Sequence, residues 1–441
     1  LTMKRAVILI HAPVEMDSTV KAPPPLGLLY IAAVLRSHDF HVEFFDFHHE
    51  KTTWADVEAA VASTDACLAG FSCSTNNLFR VLHLSDRLLD RFPHVTIALG
   101  GPHVTQRWAP YVKDRRMVIR DEGEWPMLQL AKYVLSGEGT LTDVPSLVWR
   151  SDSEIRTNPI SLGPFENINA IPFPDYSLLP DRDFYIPSII TARGCPHHCF
   201  FCCASNLFRR HQRRSAENVE RELRLLKEFY GGEIRYLAFL DDTFTASEER
   251  LLELCDVVDR VFPDKSRFSF CCEARVDVLA RRPSLIERMR RAGLVGMQVG
   301  LESGNQEFLD AMNKHTSCED IESVIIHCEE YDIPFVAGNF IFGLPYQNRD
   351  DIEREIEYAK RLTCLAPKRL ELTVKALMPY PGSEYGDHPE KWGLTIIDED
   401  FASGRIHSES FLKNSSLARE DIEDSCRRFR AIVGDFALRQ A

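Results

Sequence analysis

Along the first 120 residues, short apolar runs alternate with stretches in which apolar positions recur every three or four residues. Residues 6–10, 42–45, 66–71, 95–99 and 117–119 have strand length. Residues 28–36, 54–62 and 78–92 between them read as helices; Leu78, Val81, Leu82, Leu88 and Leu89 carry the helical spacing in the last. Continuously apolar strands separated by helices predict a parallel sheet covered on both faces. From 151 to 183 the pattern breaks. Pro159, Pro164, Pro172, Pro174 and Pro180 exclude long helix there and predict an extended linker. The alternation then resumes, with strand candidates at 186–191, 236–240, 268–271, 296–300, 335–342 and 370–377 and helices at 216–229, 248–261 and 351–362. Six strand–helix units predict a partial barrel with its chemistry at the strand carboxyl ends. The fold class is therefore α/β: a Rossmann-like domain over 1–150, a Pro-rich linker over 151–183, a partial (β/α)6 barrel over 184–390, and a short, mainly helical region over 391–441.

Three loops at the carboxyl edge of the first sheet are rich in small and polar residues. They carry Ser72, Ser74, Thr75 and Asn76; Gly100, Gly101, Pro102 and His103; and Glu122, Gly123 and Glu124. Glycine there lets a backbone approach a ligand closely, and that edge is where open sheets bind. Any one of these loops reads first as an ordinary turn, and three of them on the same edge shift the balance towards a binding crevice. No phosphate loop or paired dinucleotide glycine pattern is present, so a nicotinamide cofactor is not expected.

Composition narrows the class. The 441 residues are 44% apolar and 27% charged, as in a globular protein. Apolar runs fall short of the ~20 residues that span a bilayer, and no charged-then-apolar segment opens the sequence, so a cytoplasmic location is expected. A formal charge of −14 argues against nucleic acid as a partner. Thirteen cysteines without a leader point to a reducing compartment and to chemistry.

Four of those cysteines crowd into Cys195, Cys199, Cys202 and Cys203, in the string Arg193-Gly194-Cys195-Pro196-His197-His198-Cys199-Phe200-Phe201-Cys202. Cys195, Cys199 and Cys202 have a spacing that can wrap one side of an iron–sulfur cube and leave one iron free. Zinc is the competing metal, because His197 and His198 lie inside the loop, although no second ligand pair stands well placed. Cys203 is expected to point away.

The CxxxCxΦC motif, with Phe201 before its last cysteine, resembles the radical S-adenosylmethionine (SAM) superfamily. The resemblance runs from Ile8 to about Tyr385. It is similar to the cobalamin-binding, methyltransferase-like branch (class B), in which a B12 domain precedes the barrel. The supporting strings are Pro24-Pro25-Leu26-Gly27-Leu28-Leu29-Tyr30, Gly100-Gly101-Pro102-His103 and Glu122-Gly123-Glu124. The resemblance implies a [4Fe–4S] cluster on the three cysteines, SAM on its free iron, and cobalamin on Leu26, Gly27 and the three sheet-edge loops. It further implies that Phe201, Asp241 and Asp242 meet SAM, the two carboxylates facing its amine. By the same resemblance Arg275 meets the SAM carboxylate, Glu302 and Ser303 sit at the ribose position, and Gly343, Leu377 and Met378 complete the site. Gly231-Gly232-Glu233 precedes its strand and reads as a helix-ending turn. One of Asp241 and Asp242 reads equally as a helix cap, and Arg275 as a barrel-end salt bridge. The basic run Arg209, Arg210, His211, Arg213 and Arg214 reads as a solvated face, with anion binding second.

The Asp-x-His-x-x-Gly cobalt-histidine sequence is missing, because Lys51 stands where glycine should follow Asp46 and His48. Cobalt without a protein histidine, or with a different lower-face neighbour, is expected, and a domain that keeps the fold without the cofactor is the alternative. The implied function is reductive cleavage of SAM to a 5′-deoxyadenosyl radical, followed by methylation of an unactivated carbon in a small molecule or natural product. Cyclisation or rearrangement by the same parts and a non-catalytic cobalamin or cluster sensor are the alternatives. The implied partners are a small-molecule substrate and an electron donor such as flavodoxin or ferredoxin. No residue is singled out as acid, base or hydrogen donor.

Overall fold

The computed structural model of the chain describes residues 6–12, 21–64, 66–208, 210–398, 401 and 410–440. They divide into two compact units. The first runs to Ile186 and includes Phe401; the second runs from Pro187 into the C-terminal helix.

In the first unit, β1 (Ala6–His11), β2 (His41–Asp46), β3 (Leu68–Ser72), β4 (Thr96–Gly100) and β5 (Arg116–Ile119) pair in parallel in the order β2-β1-β3-β4-β5. The order reverses between β1 and β3, which makes a switch point at the carboxyl edge. Ala6 through Ile10 have no exposed surface, as expected of a central strand with both faces covered. Helices Leu26–Arg36, Trp54–Thr64 and Leu78–Arg91 make the crossovers.

The segment after β5 differs from the expected linker. Strands β6 (Leu147–Ser151) and β7 (Glu154–Thr157) extend the sheet antiparallel. Beyond them the chain makes 3-10 turns at Gly163–Glu166, Ile168–Ala170, Tyr176–Leu178 and Arg182–Phe184, burying Phe165, Ile168 and Tyr176. Proline fixes φ near −65°, which forbids long helix but suits single tight turns. The residues expected to tether therefore pack as part of the first unit.

In the second unit, β8 (Ser188–Ile189) leads to a two-stranded antiparallel ribbon of β9 (Ala192–Arg193) and β10 (Gln212–Arg213). Strands β11 (Tyr236–Phe239), β12 (Ser269–Ala274), β13 (Leu294–Glu302), β14 (Phe335–Phe342) and β15 (Leu370–Ala376) then join β8 in a six-stranded parallel sheet, a partial barrel ordered β15-β14-β13-β12-β11-β8. Serine caps open its helices: Ser215 accepts from Asn218 N and Ser247 from Arg250 N. Each such cap contributes about 1 kcal/mol. Outward side chains, among them Phe270, Met297, Val299, Phe340 and Phe342, are buried under the helices.

The C-terminal region also departs from the expected mainly helical appendage. Strands β16 (Leu394–Ile396) and β17 (Leu412–Asn414) form an antiparallel pair, and helix Arg419–Gln440 packs on β15 and on helix Arg349–Leu365. Phe429 seats its ring 5.3 Å from Phe340 and 5.5 Å from Phe342. This region supplies part of the barrel's outer coat.

Candidate functional site

The cysteine string occupies the loop between β9 and β10. Gly194 opens it at φ +76°, where a Cβ would meet the Phe208 Cβ at 3.1 Å and the Arg210 carbonyl oxygen at 3.2 Å. Distant parts of the barrel hold the loop by its backbone. Phe200 N donates to the Met312 carbonyl (3.0 Å), Tyr385 N to the Phe200 carbonyl (3.0 Å) and Asn313 Nδ2 to the His198 carbonyl (2.7 Å). The Phe200 ring also meets Trp392 at a tilt and Tyr385 edge-to-face, at 5.1 and 6.1 Å.

Cys199 is buried, and Cys195 and Cys202 are half-buried. Burial raises the Cys195 and Cys202 thiols, the latter to about 12, and the neighbouring thiols raise Cys202 further. For Cys203, also raised by burial, the neighbouring charges are Asp242 and Asp387. Two buried cations stand beside the loop. Arg275 donates from Nη1 to Cys199 Sγ at 3.5 Å, and Lys314 Nζ lies 5.7 Å over the Phe201 ring. Among the described residues, no three His, Cys, Asp or Glu side chains converge as a single metal ion requires, although His197 Nε2 is buried without a partner. Three thiols that each take a different iron have no need to meet at one point. Thiol donors facing buried cations suit a strongly anionic thiolate-bound cluster.

The residues expected to contact SAM divide into engaged and available groups. The Asp241 carboxylate is buried and already accepts from Thr191 N (2.5 Å), Thr191 Oγ1 (2.5 Å) and Ala192 N (3.0 Å), which tie β8 to β9. Burial nevertheless raises it to about 6. Asp242 is open to solvent by area but recessed among protein atoms, so burial raises its carboxyl while Gly194 N donates to it. Of the two, Asp242 alone has oxygen atoms available to a ligand.

Arg275 is not free either. Its Nε pairs with Asp277 Oδ1 at 3.0 Å and its Nη2 donates to the Lys314 carbonyl at 2.6 Å. Glu302, at φ +65° on a register shift of β13, accepts from Lys314 Nζ at 2.7 Å. Ser303 Oγ donates to the buried Glu355, which also accepts from Gly304 N at 2.5 Å. Gly343 takes φ +83°, and its N–H donates to Gln347 Oε1 at 2.8 Å. Leu377 is buried, with its N–H donated to the Phe342 carbonyl, and Met378 is half-exposed. Arg214 is a structural staple, buried against Glu222 at 2.5 Å, whereas Arg210 and Arg213 are exposed. Arg209 lies outside the described residues.

Sequence reading missed the inner wall of the barrel. Parallel register sets Glu273 beside Gln298, Gly300 beside Asn339 and Asn339 beside Thr373, whose Oγ1 donates to Asn339 Oδ1 at 2.6 Å. Glu273 is recessed: burial and Asp242 raise its carboxyl, and Lys375 lowers it. The available signal was period-two alternation, but the expected third strand stopped at Cys271 and excluded Glu273.

In the first unit the sheet-edge loops are laced together. Cys73 N donates to the Gly100 carbonyl (2.7 Å), His103 N to the Cys73 carbonyl (3.2 Å) and Asn77 Nδ2 to the Ala12 and Ser72 carbonyls (3.1 Å each). The buried His103 bonds Thr75 Oγ1 at 3.0 Å and Tyr111 OH at 2.9 Å, and burial lowers it to about 4. Its imidazole is neutral and both nitrogens are used, so Thr75 and His103 hold the loops instead of facing a ligand. Leu26 and Glu124 are buried. Ser72, Ser74, Gly100, Gly101, Pro102 and Gly123 are half-exposed, while Asn76 and Gly27 are exposed. A Cβ at Gly27 would meet nothing within 4 Å, and one at Gly100 only the Ile119 carbonyl oxygen at 3.9 Å. That open, small-residue edge suits a large planar ligand.

Comparison with known proteins agrees with this division. Residues 16–131 match the B12 binding domain and residues 189–359 the radical SAM superfamily. An uncharacterized methyltransferase of Pyrococcus horikoshii is 27% identical, over 83% of this chain and 78% of its own length. The anaerobic magnesium-protoporphyrin IX monomethyl ester cyclase of Cereibacter sphaeroides is 23% identical over 76% of this chain; the match spans 56% of the cyclase. The structure of the radical SAM methyltransferase TsrM of Kitasatospora setae, with cobalamin and a [4Fe–4S] cluster bound, superposes with a TM-score of 0.72 at 16% identity. It covers 98% of this chain and 89% of that one.

Proposed function

We propose, from the premise that this chain belongs to the radical SAM superfamily and carries a B12 binding domain, that it methylates an unactivated carbon of a small molecule. The observation that carries this reading is the pair of domains on one chain, the second with three motif thiols in a loop held against buried cations. When bound, the cluster and SAM supply the radical that opens the substrate C–H bond, and cobalamin supplies the methyl group.

The chain's own residues hold and orient these groups. Cys195, Cys199 and Cys202 are the cluster ligands. Asp242 takes the SAM amine, since its neighbour Asp241 is consumed in the β8–β9 turn. The Glu302–Lys314 and Ser303–Glu355 contacts hold the end of β13 in its strained shape, so the ribose position is formed before any ligand arrives. Gly343, Leu377 and Met378 border the SAM position at the ends of β14 and β15, with the Gly343 and Leu377 N–H groups already donated within the protein. Gly27, Ser72, Ser74, Asn76 and Gly100 line the corrin edge of the first unit. The reductant is a low-potential one-electron donor such as a flavodoxin or ferredoxin. No helix among the described residues is long and apolar enough to cross a membrane.

A second reading, ring closure on a small molecule, is favoured by the likeness to the Cereibacter sphaeroides cyclase. Anaerobic turnover of the reconstituted protein with SAM, cobalamin and a low-potential reductant separates them. Methylation predicts 5′-deoxyadenosine and a product heavier by one methylene; ring closure predicts 5′-deoxyadenosine and a product that has lost hydrogen. A fully loaded protein that yields no 5′-deoxyadenosine with any candidate substrate would overturn both.

A further inference from the structure

We infer that Arg275 is a redox-positioning residue of the cysteine loop: its N–H···S bond to Cys199 makes a cluster held there easier to reduce. The inference rests on the reading of Cys195, Cys199 and Cys202 as cluster ligands. It departs from the expectation that this guanidinium clamps the SAM carboxylate.

Geometry assigns the role. A carboxylate clamp needs two parallel N–H groups on one edge of the guanidinium. In Arg275 three of the five N–H donors already have buried partners, Nε on Asp277 Oδ1 at 3.0 Å, Nη1 on Cys199 Sγ at 3.5 Å and Nη2 on the Lys314 carbonyl at 2.6 Å, so the edge that includes Nε is closed to a second carboxylate. Arg275 is 7% exposed, Asp277 7% and Cys199 9%, so water competes for none of these bonds. The carbonyl that fixes Nη2 belongs to a lysine that is itself locked, with Nζ on Glu302 Oε1 at 2.7 Å. A chain of buried contacts thus runs from Glu302 through Lys314 and Arg275 to the thiol, and the guanidinium cannot swing away without breaking two of them.

The consequence follows from charge. Reduction adds one electron, delivered by a low-potential one-electron donor, and the extra negative charge spreads onto the sulfurs. No protein bond forms or breaks. A fixed donor at one sulfur stabilises the reduced form more than the oxidised form, and hydrogen bonds to sulfur are among the terms that set cluster potentials. The low-dielectric surroundings strengthen the effect.

The test compares reconstituted full-length protein with its Arg275→Lys and Arg275→Met variants, and with the double variant Arg275→Met/Asp277→Asn, which leaves no unpaired buried carboxylate. The readout is the reduced-cluster signal in electron paramagnetic resonance across a redox titration, with SAM affinity measured separately on the oxidised protein. At the potential where the unmutated cluster is half reduced, the ratio of reduced to oxidised cluster should fall about tenfold in the Met variants, equivalent to ~59 mV for one electron. Arg275→Lys should fall between, and SAM affinity should stay within twofold. An unchanged midpoint in the double variant, or a tenfold loss of SAM affinity at unchanged midpoint, overturns the proposal. Failure of the unmutated protein to take up iron would refute the ligand reading of the cysteines instead.

Discussion

Two adjacent carboxylates, Asp241 and Asp242, have different surroundings because successive residues leaving a strand point to opposite sides. The sequence marked both as amine acceptors, and their positions were legible. Their division of labour was not, since it depends on where the turn at Thr191 and Ala192 passes, 50 residues earlier. Asp241→Asn should cost about 1.5–3 kcal/mol, because the buried donors lose a charged acceptor; denaturant unfolding checks it. Asp242→Asn should leave stability nearly unchanged and raise the KM for SAM at least tenfold. Glu355 was invisible to motif reading, yet it anchors Ser303 and Gly304. Burial raises its carboxyl to about 7 from 4.5. A folded-state value above the unfolded one means the native state holds the proton longer, so this group's contribution to stability declines as pH rises from about 4.5 through 7. Glu355→Gln should flatten that slope by a margin on the order of 3 kcal/mol between pH 4.5 and 8, measured by unfolding at a series of pH values.

At the scale of elements, periodicity served where strands were buried on both faces, and several barrel elements fall within a residue or two of their expected ends. It failed at β6, β7 and the β16–β17 pair, which are short and antiparallel, and whose pairing partners set them more than their own residues do. The glycine pair at the end of β4 shows a subtler failure. The resemblance set Gly100 and Gly101 alike beside a corrin. At Gly101, however, φ is +103° and a Cβ would sit 2.7 Å from the Cys73 carbonyl oxygen, so its smallness serves the loop itself. Gly100→Phe should abolish retention of hydroxocobalamin in equilibrium dialysis while the protein stays folded and keeps its iron. Gly101→Ala should lower stability whether or not corrin is present. The C-terminal helix looked polar because one stripe alone is buried. Phe429→Ala should cost about 3–5 kcal/mol, read as a lowered denaturation midpoint.

For the molecule as a whole, the order of two α/β units was legible from the break in alternation, but the break does not end the first unit, which continues to Ile186. Cysteine spacing isolated one loop among thirteen cysteines because the others are scattered as singles or as the pair Cys271 and Cys272, and several of them, such as Cys255, Cys328 and Cys426, are buried. Reconstituted protein should therefore hold about four irons per chain; a count clearly above that would mean a second cluster. The bonds that shape the cysteine loop also impose an order in time. Their partners Met312, Asn313, Gly382 and Tyr385 are translated more than a hundred residues after the thiols they help to hold. At ~5–20 residues per second, the stretch from Asn206 to Gly382 takes on the order of ten to forty seconds to emerge. During that interval the thiols have no finished cradle and lie open to oxidants and stray metal ions. Stable seating of iron in this loop is therefore expected only after these partners have been translated. Nascent chains stalled before residue 312 should be alkylated at Cys199 far faster than the released, folded apoprotein.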